Sequence, residues 1–172
     1  MQSTSLKASS LLGAQFLREL ESEVRATREC LAEVPMDKAD WKPHEKSMQL
    51  GYLAQLVADI PRWIQYALEK GEVNFATYEQ FKGETAEELV AHFEKSVEAA
   101  KKALANVTDE DLKGTFYLRH GEKELFSSPK DENIMQSLNH LVHHRGQLTV
   151  YLRLNDLPIP SIYGPSGDTG GF

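Results

Sequence analysis

The chain has 172 residues and a mass of 19.4 kDa, about one domain by the usual ~100–200 residues per domain. Hydrophobic residues make up 41% and charged residues 26%, a balance that excludes disordered, collagen-like and disulfide-scaffold classes. A net charge of −7 and a pI near 5.4 argue against a general nucleic-acid or anionic-membrane surface, since either needs clustered positive charge.

Cys30 is the single cysteine, so no intrachain disulfide can form, which fits a reducing compartment. The opening MQSTSLKASS lacks the basic and apolar regions of a signal peptide. No apolar run approaches the ~18–20 residues of a membrane span. The expectation is a soluble, cytoplasmic single domain over residues 1–172, with no nucleic-acid or membrane partner.

Apolar spacing orders the chain. Leu12, Phe16, Leu20, Val24 and Leu31 share one helical stripe, which predicts a first helix from Leu11 to about Val34, ended by Pro35. Met36 to Lys46 reads as a polar connection. Ser47 is the expected N-cap of a second helix running to about Lys70, with Gly71 as its stop. Pro61 lies inside it and is expected to kink or divide it. The crossover from Val73 to Gly83 carries Phe75, Tyr78 and Phe81, too aromatic for a free linker.

Thr85 and Glu88 have capping-box spacing and open a third helix with Leu89, Phe93, Val97 and Ala100 on one stripe. Thr115–Arg119 and Lys123–Phe126 flank His120-Gly121-Glu122, a hairpin pattern with glycine at the turn. Two strands alone are marginal, so they must lean on the helices. A further long helix is expected from about Glu132 to Asn155, and an irregular tail from Leu157. The predicted fold is all-α: a four-helix bundle with a small β-hairpin before the last helix.

Three of the six histidines fall in Asn139-His140-Leu141-Val142-His143-His144-Arg145-Gly146-Gln147-Leu148. On a helix, His140 and His144 lie one turn apart on one face, with Cβ atoms about 6 Å apart. Two imidazoles so placed can reach one ion at the ~2.0–2.1 Å of a zinc–nitrogen bond. His143 points elsewhere. Histidine pairs at this spacing also arise as ordinary, partly buried polar groups, so the spacing alone leaves both readings open.

The letters around the pair add to it. His140 to Leu148, then Tyr151-Leu-Arg-Leu-Asn-Asp-Leu-Pro158-Ile-Pro160 and Tyr163-Gly-Pro-Ser-Gly-Asp168, resemble the carboxy-terminal signature of the DinB family (DinB/YfiT-like metalloenzymes). Met48-Gln-Leu-Gly51 through Pro61-Arg-Trp63 is similar to that family's second helix, and Lys42-Pro43-His44-Glu-Lys-Ser47-Met48 to its lead-in. The resemblance covers about Leu11 to Asp168. It implies a four-helix bundle holding a divalent metal, nickel or zinc, on three histidines. Two come from the last helix, where His140 and His144 match, and one from the second. It also implies a homodimer, and a small-molecule substrate handled by hydrolase or thiol-dependent transferase chemistry. It does not imply DNA binding.

Here the chain departs from the pattern. Aligning Gly51 and Ala58-Asp59-Ile60-Pro61 with the family puts the second-helix histidine at Leu56, and leucine cannot ligate a metal. Asp59, three residues on, is a candidate replacement carboxylate, or else an exposed acid near the Pro61 kink. Tyr52, Gln55 and the loop residue His44 are weaker candidates; an amide is a poor ligand for transition metals beside imidazole.

Other residues read as structural. Trp41, Trp63, Tyr66 and Phe93 are expected to pack the bundle, His92 and His120 to lie on the surface, and Gly146 to permit a close helix contact. Arg145 either orients an anionic substrate or pairs with an acid on a neighbouring helix, and Cys30 behaves as a small apolar residue. Two functions follow. One is a metal-dependent enzyme with an incomplete histidine triad, its ion weakly held. The other is a bundle that has lost the metal and serves as a binding or interaction protein.

Overall fold

The computed structural model describes residues 10–170, so the reading of residues 1–9 lies outside it. The chain forms helices α1 (Leu11–Ala32), α2 (Leu50–Glu69), α3 (Ala86–Asn106), α4 (Asp109–Lys113) and α5 (Lys130–Leu154), with strand β1 (Glu72–Asn74) after α2 and strands β2 (Thr115–His120) and β3 (Lys123–Pro129) between α4 and α5. The fold is mostly helical, with a small three-stranded sheet. α2 packs against both α3 and α5, and α1 lies against the same two helices. No helix among the described residues is long and apolar enough to cross a membrane.

Local chemistry sets the helix ends. Ser10 caps α1, its Oγ accepting from the Gly13 N–H at 2.9 Å. Thr85 caps α3 through the Glu88 N–H at 3.2 Å, as its spacing predicts. Ser47 does not cap α2, contrary to expectation. The helix starts at Leu50, where Leu50 N–H donates to Trp41 O (2.8 Å) and Gly51 N–H to Ala39 O (2.9 Å). Loop carbonyls thus satisfy the first-turn donors that a cap side chain would otherwise take. They come this close because residue 51 is glycine: a Cβ there would stand 2.7 Å from Ala39 Cβ. Gly146, expected to make such a contact, is exposed and meets nothing. Pro61 sits buried inside α2 without dividing it.

Two short elements escape periodicity. Residues 109–113 form a single capped turn, in which Thr108 Oγ1 accepts from Asp111 N–H and Asp111 Oδ2 from Thr108 N–H. Glu72–Asn74, within the aromatic crossover, pairs in parallel with β2. β2 and β3 pair antiparallel across Gly121, whose φ of 62° suits glycine. Asn74 clamps that turn by accepting from Gly121 N–H (2.9 Å) and donating to Gly121 O (3.0 Å). Val73 and Phe116 bury the sheet against Ala67 of α2, which is how so small a sheet is held.

The main core carries the predicted stripes, including Phe16 and Leu20 of α1, Leu53 and Ile60 of α2, Leu89 and Phe93 of α3, and Leu141 and Leu148 of α5. Cys30 is buried in it, and burial pushes its thiol up to about 11, far from a reactive thiolate. Arg145 is 1% exposed and ion-paired with the buried Glu23 of α1. It also donates to Thr27 Oγ1 (3.2 Å) and Tyr163 Oη (3.0 Å), and Tyr163 in turn donates to Glu23 Oε1 (2.9 Å). Of its two readings, the ion pair with a neighbouring helix is the one realised. Breaking a buried pair strands its partner's charge. Arg145→Ala is therefore expected to cost on the order of 3–5 kcal/mol in urea denaturation. Arg28→Ala, at the exposed Arg28–Glu94 pair, should cost no more than about 1 kcal/mol.

Candidate functional site

One face of α2 presents Tyr52, Gln55, Leu56, Asp59 and Trp63, with Tyr52, Leu56, Asp59 and Trp63 three or four residues apart and Gln55 beside Leu56. Opposite them stand Phe75, Tyr78 and Gln80 of the crossover, and His140 of α5 closes the ring. Together they enclose a cavity of about 460 Å³. Tyr52 and Phe75 are 46% and 42% exposed, which places them at its mouth.

His140 and His144 come together on α5 with ring centroids 4.5 Å apart. His140 also meets the edge of Trp63 at 5.8 Å. Burial, helped by the neighbouring imidazoles of His144 and His143, drives His140 down to about 4. Burial lowers His144 as well. Both rings are therefore neutral near pH 7. His144 Nδ1 lies 2.7 Å from Gln147 Oε1, which can only accept, so Nδ1 carries the proton and Nε2 keeps a free lone pair. A ring held that way is oriented like a metal ligand.

The rest of the expected donor set is different. Leu56 occupies the position aligned with the third histidine and lies on the cavity wall. Asp59 is not an exposed acid beside a kink: it is 3% exposed and lines the cavity floor. Its Oδ1 accepts from His92 Nε2 at 2.7 Å and meets Arg62 Nε at 3.0 Å. Its Oδ2 accepts from Tyr78 Oη at 2.6 Å and from Arg62 Nη2 at 3.1 Å. Arg62 is pinned in turn by Glu79 O (2.7 Å), and its guanidinium lies over the Tyr78 ring at 4.4 Å. Burial and the bond to Asp59 raise the Tyr78 hydroxyl well above its usual range, so it stays a donor.

His92 is the second correction. It is not a surface residue but stacks on Phe81, with centroids 3.7 Å apart and planes 3° from parallel, while its Nε2 faces Asp59. Its signal in the sequence was faint: it precedes the core residue Phe93, and Ser96, four residues on, lies 3.4 Å from the same nitrogen. Arg62, three residues after Asp59, has the spacing of a helical ion pair, a signal the sequence does carry. Gln55 lines the cavity but gives its Nε2–H to Gly83 O (3.1 Å). His44 stays in its exposed loop, its Nδ1 accepting from Lys46 N–H (3.1 Å). His120 is exposed, as expected. Among the described residues no group of three or more His, Cys, Asp or Glu is arranged to hold a metal ion.

Comparison with known proteins matches this architecture. A DinB-like protein from Bacillus cereus superposes with a TM-score of 0.66 at 24% identity, covering 87% of this chain and 97% of its own. A DinB-like protein from Bacillus subtilis superposes with a TM-score of 0.65 at 20% identity, covering 85% and 96%. No curated protein matches the chain. The family model described as the DinB family matches residues 1–169, nearly the whole sequence, and the chain belongs to that family.

Proposed function

We propose that this protein binds an uncharged small molecule in the cavity between α2, the crossover and α5, without a three-ligand metal centre. The observation that carries this reading is the state of Asp59, the one acidic residue on the cavity wall, whose two oxygens are already engaged by Arg62, Tyr78 and His92. Freeing them for a cation would strand the half-buried Arg62 guanidinium. With Leu56 in the third-histidine position, the residues present supply two imidazoles, whereas catalytic zinc uses three protein ligands and water. They do not fit the family's metal.

The remaining lining is aromatic and amide: Tyr52, Trp63, Phe75, Gln55 and Gln80 beside the neutral His140. Such a wall favours ligands that bring apolar area and hydrogen-bonding groups but no net charge, because an unpaired charge entering it loses hydration without compensation. The second reading is a nickel or zinc ion held weakly by His140 and His144 alone, as part of a hydrolase or thiol-transferase site. The Gln147–His144 hydrogen bond, which leaves Nε2 free, is what favours it.

Two outcomes are expected. Benzamide, titrated while the indole N–H signals are followed by NMR, should shift the Trp63 resonance. Benzoate and benzylammonium should bind at least about tenfold more weakly; preference for either ion would overturn the uncharged-ligand reading. The His140 ring signals should titrate with a midpoint near about 4. Because the unfolded chain takes up that proton near pH ~6.5, stability is complete above that pH and falls as pH drops toward the folded value. Urea denaturation between neutral pH and pH 4 should show that loss reduced in His140→Gln.

A further inference from the structure

Trp63 and His140 each serve two cavities. A second one, of about 270 Å³, is walled by Phe116, Leu118, Phe126, Asn133 and Gln136 together with the same Trp63 and His140. The two cavities share those two side chains and no other lining residue. Their rings meet edge to face with centroids 5.8 Å apart, so the Trp63–His140 pair borders both cavities between α2 and α5.

Three features make the second cavity more than a packing defect. Two of its lining residues hold a buried polar atom without a hydrogen-bond partner, the Trp63 Nε1–H donor and the Asn133 Oδ1 acceptor, with Asn133 only 7% exposed. Buried polar groups are nearly always paired, so an orphan donor and an orphan acceptor around one cavity mark a place for a group that both donates and accepts. Each cavity also has a large aromatic exposed at 42% on its wall, Phe75 for the first and Phe126 for the second. Exposed apolar side chains at the mouths of concave sites are characteristic of ligand entry. Finally, the second cavity is lined by no Asp, Glu, Lys or Arg side chain.

We propose that the two cavities are compartments of one binding site, taking an elongated uncharged molecule with an apolar arm in each and an amide or similar group beside the Trp63–His140 pair. The amide carbonyl would accept from Trp63 Nε1–H, and its N–H would donate to Asn133 Oδ1. This rests on the reading of the first cavity as a site for uncharged ligands.

The test compares benzamide with N-benzylbenzamide, which places an amide between two rings, by calorimetry on the full chain. The longer probe should bind at least about tenfold more tightly, the gain expected from burying the second ring. Gln136→Phe, at an exposed position on the second cavity's wall, should reduce that gain to less than about twofold and leave benzamide unaffected. Asn133→Leu, which removes the orphan acceptor, should weaken the longer probe. If N-benzylbenzamide binds no more tightly than benzamide, or its advantage survives both substitutions, the second compartment is refuted while the first-cavity reading stands. If neither probe binds, both fall.

Discussion

A carboxylate buried inside a protein must be neutralised where it lies, and in this chain that requirement gathers the site. Asp59 points from α2 toward the cavity, and three segments answer it: Arg62 one turn further along α2, Tyr78 from the crossover and His92 from α3. Each of these is then fixed by something else. Arg62 holds the crossover through Glu79 O, Tyr78 packs its ring against Trp63 and Tyr66, and His92 lies flat on Phe81. A connection that would otherwise wander is tied down as a wall, and the cavity exists because that wall stands off from α2. Removing any one donor leaves the others facing an under-compensated charge, so the cluster should respond as a unit.

The same arrangement sets the chemistry. The guanidinium cancels the carboxylate, and burial keeps His140 and His144 uncharged at neutral pH, so the cavity wall has almost no net field. A site of that kind discriminates by shape and hydrogen bonding rather than by charge, although the protein as a whole carries −7. On the next face of α5, Arg145 makes the opposite use of a buried ion. With Glu23, Thr27 and Tyr163 it joins α1, α5 and the tail. α5 thus carries a structural lock at Arg145, while His140, on another face of the helix, lines the cavity.

Long periodic segments made most of the helical architecture legible in the sequence. The stripes of α1, α3 and α5 needed only spacing, Thr85 needed only its capping pattern, and Gly71 marked the end of α2. What escaped was short or supplied from elsewhere. β1 is three residues and α4 five, too few to show a period. The start of α2 depends on the carbonyls of Trp41 and Ala39, which no local rule about Ser47 contains. Within the site, the two α5 histidines were readable from spacing and Leu56 from its break in the family pattern. The partners of Asp59 were not, because Tyr78 and His92 lie 19 and 33 residues away and meet it only through the fold.

We read this DinB-family site as one ligand short, with position 56 apolar and Asp59 committed to Arg62, Tyr78 and His92. Calorimetric titration of nickel into the native protein and into Leu56→His tests that claim most directly. The native chain should bind weakly, and the variant at least about tenfold more tightly, or about 1.4 kcal/mol. That affinity should fall as pH drops through the histidine range, because a ligating imidazole must be neutral. Equal affinity in the two proteins would contradict the account, and tight stoichiometric binding by the native chain would do so most plainly.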